Sequence, residues 1–509
     1  MPIDFPPPPT PQQGDLAALH ADSAAGAVSV DIGIYVLRVF APGIFSESEI
    51  RLITEGMLDL SRAVRALNSA AQSKGVVAPR TLYVRDGDDI YVSITPGSLA
   101  AVDATKRLRP YFQGLVGDQP LLLGDFEKKR LLAGVHASRM GGDFTPVFAP
   151  AQDSGYQMTL KRGTESVSSG SARVNFSNFG NRFTGREFVD LDVREGTRWG
   201  DEFSAQARTV AKLTGIDDVE PGNEYNELQL GWSRVTPYGL FGFSGRMIDY
   251  RQQFGTLAFN GQINFLDAGY TGIVVSNASQ RLTVQARADY VEKRLEFAAS
   301  GILAQLEPYA SLELGSTWTA SFRLLGQGLL SQATISLRRG LGDWGPERTA
   351  SDLDYWLLRP SYSLRTLGEG FTGELQLFSQ LAGVAVPEQQ QWVVGGIGNL
   401  HAYVPGVAIG DRGVSARLIG EAPPLMLGDV SLKTRLFLEW GAAEYSEAVA
   451  GQPQGRQSVS DAGGELVLGF GRFFEAAVAA AMPLHDSGIE RQTRDDARAD
   501  FLFRFSGKF

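Results

Sequence analysis

The sequence predicts a mainly β protein, a 16-stranded antiparallel transmembrane β-barrel preceded by two small α+β domains. Three observations lead there. From Ser166 to the C-terminus, alternating apolar and polar runs follow one another, separated by Gly, Asn, Asp and Pro. Runs of about ten residues with period two suit a tilted membrane strand, and about 345 residues at roughly 21 per strand and connector make about 16 of them. Second, 43% of the residues are hydrophobic, yet no long apolar run is free of charge, so a helical span is not supported. Third, helix-start signals and short alternating runs precede Ser166 and then disappear.

Composition narrows the function. A net charge of -10 and a pI near 5.2 disfavour a nucleic-acid partner, which normally needs a basic surface. Disulfides and thiolate metal sites need cysteine, and there is none. Met1-Pro2-Ile3-Asp4 has neither a charged n-region nor an apolar h-region, so a secretion signal has been removed or is absent.

Residues 1–27 read as a Pro-rich linker. Pro6 to Pro9 and Pro11 favour extended backbone without a core; the segment reads as a disordered tail, with 15–25 able to form one short helix. The first α+β domain, 28–97, opens with Val28, Val30, Ile32, Ile34 and Val36 on one face of a half-buried strand. Ser46-Glu47-Ser48-Glu49 is a capping box, with Phe45 and Ile50 placed as a hydrophobic staple. Gly56 ends or bends that helix, and a second follows over 61–73. Strands 81–85 and 90–94 are joined through Asp86-Gly87, a hairpin signal. The second domain, 98–162, has a short helix over 108–115 and a longer one opened by Asp125-Phe126-Glu127 and running through Leu132. Strands 144–148 and 156–160 complete it. Lys128-Lys129-Arg130 reads as a solvated helix face.

The barrel is assigned to 163–509. Leu228, Leu230 and Trp232 take one face of a strand and Glu227, Gln229 and Ser233 the other. At the end, Phe501, Phe503, Phe505 and Phe509 share a face opposite Arg504, Ser506 and Lys508. Reaction chemistry is not apparent. His20, His136, His401 and His485 have no metal-ligand spacing, and no Gly-x-Ser-x-Gly elbow occurs between strand and helix. Residues 340–345 spell a dinucleotide fingerprint, but Pro346 follows and no βαβ unit surrounds it, so the segment reads as a loop between strands. Asp352 and Asp354 read as solvated carboxylates in a loop of the same kind. No catalytic residue, metal or cofactor is expected, and the chain is not read as an enzyme.

The stretch 395–421 organises the rest. Gly395, Gly396 and Gly398 open it, and Gly406, Gly410 and Gly413 follow. Such glycine density lets a chain fold back compactly, and so long a connection between strands is usually functional or disordered. Residues 395–413 are expected as a loop folded into the barrel. Leu400-His401-Ala402-Tyr403 within it, and Phe437-Leu438-Glu439-Trp440-Gly441 downstream, resemble paired motifs of the two-partner secretion transporters. These outer-membrane proteins export and activate bacterial hemolysins and filamentous adhesins, and are relatives of the BamA assembly barrels. The family's loop motif is Val-Arg-Gly-Tyr, and its arginine meets the aspartate of Phe-x-Asp-x-Gly inside the pore. The β-α-α-β-β order in 28–97 resembles a polypeptide-transport-associated (POTRA) domain. Leu121 to Glu127 resembles the start of the second POTRA helix, although Ala133-Gly134 stands where proline-glycine is common. Asn178 to Gly185 resembles the family's first hairpin. Phe509 resembles the terminal aromatic by which outer-membrane barrels are recognised for insertion.

The resemblance implies a pore in the outer membrane, with periplasmic POTRA domains, that exports a hemolysin- or adhesin-like partner protein in extended form. It also implies contact with outer-membrane lipids and with the barrel assembly machinery during biogenesis, and an N-terminal helix that can plug the pore. The alternative is an assembly or insertion factor of the same superfamily; a third reading is a passive pore whose loop has lost its role. His401 and Glu439 occupy the places of the family's charged pair. The lock is therefore His401–Glu439, or Arg412 replaces the family arginine, or no ionic lock exists. Leu400, Ala402, Tyr403, Phe437 and Gly441 complete the motifs, and Tyr403 is expected to pack its ring on the lumen wall with its hydroxyl on a polar partner. Imidazole ordinarily titrates near pH 6.5 whereas guanidinium stays charged, so a histidine lock is expected to weaken as pH rises.

Overall fold

The computed structural model describes residues 8–151, 155–163, 168–181, 183–211, 223–254, 256–349, 351–368, 370–447 and 455–509. Among them no helix is long and apolar enough to cross a membrane. The protein is mostly β, with a closed 16-stranded antiparallel barrel preceded by two small α+β units.

In the first unit the alternating run at 28–36 is not one strand. Val28–Ile32 and Tyr35–Phe40 form an antiparallel hairpin with Ile32 opposite Tyr35. Gly33 adopts φ +63, which a tight turn needs and a side chain resists. Periodicity missed the break because Leu37 and Val39 continue the apolar pattern on the return strand. The capping box forms as expected: Ser46 N donates to Glu49 Oε2 at 2.9 Å and Glu49 N to Ser46 Oγ at 3.4 Å. It starts the helix Glu47–Thr54. The next helix, Leu60–Ser73, buries Ala63, Val64, Leu67 and Ala71 against Leu37, Val39, Val92 and Ile94 of the sheet. The short N-terminal helix is Leu16–Ala24, capped by Asp15, and it lies on this sheet with Leu19 buried. Just before it, Gln12 and Gln13 pair in parallel with Leu82 and Tyr83, adding a short strand to the sheet edge.

The second unit carries a longer helix than the sequence suggested, Leu123–Arg139. Its core buries Phe112, Phe126, Ala133 and Met158 and also receives Val77 and Ala78 from the first unit. Tyr156 Oη donates to the Pro79 carbonyl at 3.0 Å across the same joint.

The barrel strands are Gly170–Ser177 (β1), Phe188–Gly196 (β2), Asp201–Val210 (β3), Glu224–Thr236 (β4) and Gly239–Phe254 (β5). Leu257–Ser276 (β6), Gln280–Phe297 (β7), Leu303–Leu324 (β8), Gln327–Asp343 (β9), Trp356–Leu367 (β10) and Thr372–Ala382 (β11) continue the wall. Arg412–Glu421 (β12), Val430–Glu444 (β13), Gln457–Phe470 (β14), Phe474–Ser487 (β15) and Leu502–Lys508 (β16) complete it. Alternation sorts the side chains: Leu228, Leu230 and Trp232 are exposed on the outer face, as expected of a lipid-facing row. Charged residues pair across the inner face, Asp190 with Arg208 and Asp289 with Arg338 among them. Residues 340–343, expected as loop, instead form the end of β9.

β1 and β16 close the barrel, with Arg173 opposite Lys508 and Ser177 opposite Arg504. Phe509 extends the seam, exchanging two backbone hydrogen bonds with Ala172 at 2.8 and 3.0 Å. Deleting Phe509 removes both bonds from the seam that closes the barrel. The amount of heat-modifiable barrel in membranes should fall severalfold; unchanged levels would show that the terminal residue is dispensable.

The helix Leu123–Arg139 docks on the proximal rim, the end of the barrel beside the N-terminal units. Arg139 donates to the carbonyls of Gly200 (2.8 Å) and Ser233 (3.2 Å), and Lys129 to that of Pro237 (2.9 Å). Tyr111 Oη donates to the Val235 carbonyl at 3.1 Å and lies 2.9 Å from His136 Nδ1. Burial pushes His136 below its ordinary value, with Arg107, Arg139 and Arg234 adding repulsion. A buried imidazole that resists protonation binds fewer protons docked than released. Docking is therefore at full strength above the free imidazole value, about 6.5, and weakens as pH falls through it. Hydrogen exchange at 197–200 and 235–238, corrected for intrinsic rates, should be faster at pH 5.5 than at 7.5. His136→Gln should remove that difference.

Candidate functional site

The connection between β11 and β12 folds back into the lumen from the distal end. Trp392–Val394 and Ala408–Gly410 pair as a short antiparallel ribbon. Beyond it the chain turns through Gly395 at φ +110 and Gly396 at φ +85. A Cβ on Gly395 would lie 2.3 Å from the Val404 carbonyl oxygen, so glycine is required for the closing turn. The turn presents Leu400, His401, Ala402 and Tyr403 to the wall, all buried.

The wall meets them residue by residue. Glu439 on β13 accepts from the His401 backbone N–H at 2.9 Å, and His401 Nδ1 lies 2.8 and 3.0 Å from its two carboxylate oxygens. Phe437 stacks on the imidazole, ring centroids 4.2 Å apart and planes 24° from parallel. Gly441 leaves room for Leu400; a Cβ there would sit 2.8 Å from Leu400 Cδ1 and from Val394 Cγ1. The spacing Phe-x-Glu-x-Gly therefore has three separate physical reasons on one lumen-facing row: stack, acceptor and clearance.

Two further residues join the cluster. Arg417 on β12 lies in register with Glu439 and donates to it through Nε at 2.6 Å, while its Nη1 reaches Gln376 at 3.2 Å. Asp461 on β14 lies in register on the other side and accepts from the Ala402 backbone N–H at 2.7 Å. Glu439 is 1% exposed and His401 4%, so this is a buried ionic network in which each charge depends on its partners. One guanidinium faces two carboxylates.

Arg412, the alternative loop cation, is elsewhere. It pairs with Glu444 at 3.2 Å with its side chain 44% exposed, because the first position of β12 points away from the cluster. Tyr403 is fully buried as expected, packed with Val404, Ala497 and Leu502. Its hydroxyl, expected to find a polar partner, makes no hydrogen bond among the described residues. Arg417 and Asp461 were not singled out in the sequence. They were findable only by aligning three strands on Glu439, and strand register is not written in any one strand's text.

Contacts at three further places hold the loop. The connection between β15 and β16 covers its tip: Val404 N donates to the Ala497 carbonyl (2.8 Å) and Ala499 N to that of Ala402 (2.9 Å). At the loop's base, Glu388 pairs with buried Lys293 of β7, and Gln390 bridges Arg359 at 3.0 Å and Tyr309 at 3.2 Å. Asp411 fixes the return, accepting from Val386 N at 3.0 Å and Ser446 N at 2.8 Å.

No protein-family model and no curated protein matches the sequence. Solved structures do. CdiB from Escherichia coli superposes with a TM-score of 0.71 at 14% identity, covering 96% of this chain and 92% of that one. CdiB from Acinetobacter baumannii gives 0.63 at 14% identity, covering 95% and 90%. BamA from Haemophilus ducreyi lacking POTRA domains 1–3 gives 0.51 at 13% identity, covering 93% and 99%. The chain thus has the CdiB and BamA type of fold over nearly its whole length.

Proposed function

We propose that this protein is an outer-membrane translocation pore that exports one partner protein, in extended form, from the periplasm to the cell surface. The observation that carries the reading is the inward loop latched to Glu439 inside a closed barrel. A latched plug suits a pore that opens only for its client. The two N-terminal units would lie in the periplasm and hold the client by strand addition, which uses backbone hydrogen bonds more than particular side chains. Strand Pro79–Asp86 is a candidate edge; the chain's own Gln12 and Gln13 cover two of its residues, so a client would compete with them. Cross-strand ion pairs such as Asp267 with Arg287 leave the lumen polar but locally neutral, giving a passing chain little to adhere to. Folding of the client outside would supply direction.

The alternative, an assembly factor working through a lateral opening, is disfavoured by the seam, where β1 and β16 pair from Arg173 to Ser177 and on through Phe509. A secretion assay separates the two. Cells expressing the chain together with a large secreted candidate partner should release that protein, and cells lacking the chain should not. Unchanged release, together with failure of other barrels to assemble, would replace export with assembly.

A further inference from the structure

We propose that the junction between the second N-terminal unit and the proximal rim of the barrel binds the phosphate headgroups of anionic phospholipids. The inference rests on the outer-membrane reading above, which puts this rim at the phospholipid leaflet. Trp199, in the turn between β2 and β3, is 53% exposed and has two guanidiniums near its ring. Arg107 from the second unit and Arg198 from the turn itself each sit 5.0 Å from its ring centroid. On the neighbouring proximal turn, Tyr238 is 79% exposed, with Lys129 Nζ 5.7 Å from its ring. Tyr270 anchors that turn by donating to the Tyr238 carbonyl at 2.8 Å and packs against Phe241 at 5.0 Å.

Two features make this a headgroup site. Exposed Trp and Tyr at the end of a lipid-facing wall occupy the water–lipid boundary, where an amphipathic ring is stable. The flanking cations keep donors free. Nearby carboxylates are engaged elsewhere, Asp201 with Arg234 (3.6 Å) and Glu202 with Arg139 (3.7 Å), and neither Arg107 nor Arg198 pairs with a carboxylate among the described residues. In a chain of net charge -10, two guanidiniums beside an interfacial indole, neither paired with a carboxylate among the described residues, form a local anion receptor. Because each arm of the receptor comes from a different unit, a bound phosphate would also tie the second unit to the membrane surface. The competing occupant is an acidic segment of the exported protein. The outer rim favours lipid, because a client bound for the lumen enters inside it.

The test uses the full chain in neutral detergent micelles, with tryptophan fluorescence quenched by brominated phosphatidylglycerol or brominated phosphatidylcholine. Heat-modifiable migration checks the barrel separately, so failure of the outer-membrane reading shows as a chain that does not fold as a barrel. The wild type should be quenched by phosphatidylglycerol at lower mole fraction, and that preference should shrink with added salt. Each guanidinium removed should cost about fivefold in preference, so Arg107→Gln with Arg198→Gln should abolish it and the paired lysine replacements should keep most of it. Trp199→Phe should delete the phosphatidylglycerol-specific component of quenching. Equal quenching of the wild type by both lipids, a glutamine variant that keeps its preference, or displacement by an acidic peptide without any lipid preference would each overturn the proposal.

Discussion

Deletion of residues 28–160 is expected to abolish export while leaving an inserted, heat-modifiable pore. The barrel closes through contacts that begin at Arg173 and end at Phe509, so its hydrogen-bonded circuit does not need the removed segment. The N-terminal units have their own cores. One is built on Leu37, Leu67 and Ile94, and the other on Phe112, Phe126 and Met158, joined through Val77 and Ala78. Removing both therefore takes away two complete folded units and the sheet edges that would hold a client. The cost to the barrel is confined to the proximal rim, where Gly200, Ser233 and Pro237 lose the donors from Arg139 and Lys129. These carbonyls lie at or near the rim turns, where water can reach them once the helix is gone. Secretion of the partner into the medium, measured against the amount of folded barrel per cell, should fall to background. Secretion by the bare barrel at more than a few per cent of normal would mean that the client is recognised by the pore itself.

Most of the architecture was legible in the sequence because its signals are periodic and local. The capping box at Ser46 and Glu49 and the period-two rows of β4 and β16 each rest on neighbours within a few positions, and each appears where the text put it. The hairpin break at Gly33 was hidden for the same reason, since an apolar alternation reads identically whether the chain continues or turns back. The docking helix was read short, because its continuation buries His136 and Arg139 against the barrel rim and so lacks a clean apolar stripe. Polar groups there are satisfied by carbonyls far along the chain. The candidate site divides in the same way. His401, Glu439, Phe437 and Gly441 share two motifs whose spacings reflect a turn and one face of a strand. Arg417 and Asp461 share nothing in sequence with them beyond lumen-facing parity, and only the registers of β12, β13 and β14 bring them to Glu439.

Those registers change what mutation of the loop lock should do. Glu439 accepts from the loop through the His401 backbone and ring and from the wall through Arg417. Glu439→Ala removes all of these and leaves Arg417, its side chain only 12% exposed, without the carboxylate it pairs with. Hydrogen bonds to charged groups are worth about 1.5–3 kcal/mol each, and stranding a buried charge costs more. Single-channel records of Glu439→Ala should therefore show the open state favoured by roughly a hundredfold or more. His401→Ala should have a smaller effect, about tenfold, because the backbone N–H groups of 401 and 402 still reach Glu439 and Asp461 and Arg417 keeps its partner. The double variant should resemble Glu439→Ala alone, since the ring has nothing left to bind once the carboxylate is gone. Asp461→Ala should loosen the loop through Ala402 N–H, whereas Asp461→Asn keeps an acceptor oxygen and should nearly restore it. Arg412→Ala serves as the control and should gate normally, its pairing with Glu444 lying outside the cluster. Normal gating in Glu439→Ala, or altered gating in Arg412→Ala with His401→Ala silent, would place the latch elsewhere. Additive effects of His401→Ala and Glu439→Ala would mean that the two side chains hold the loop through separate contacts rather than through each other.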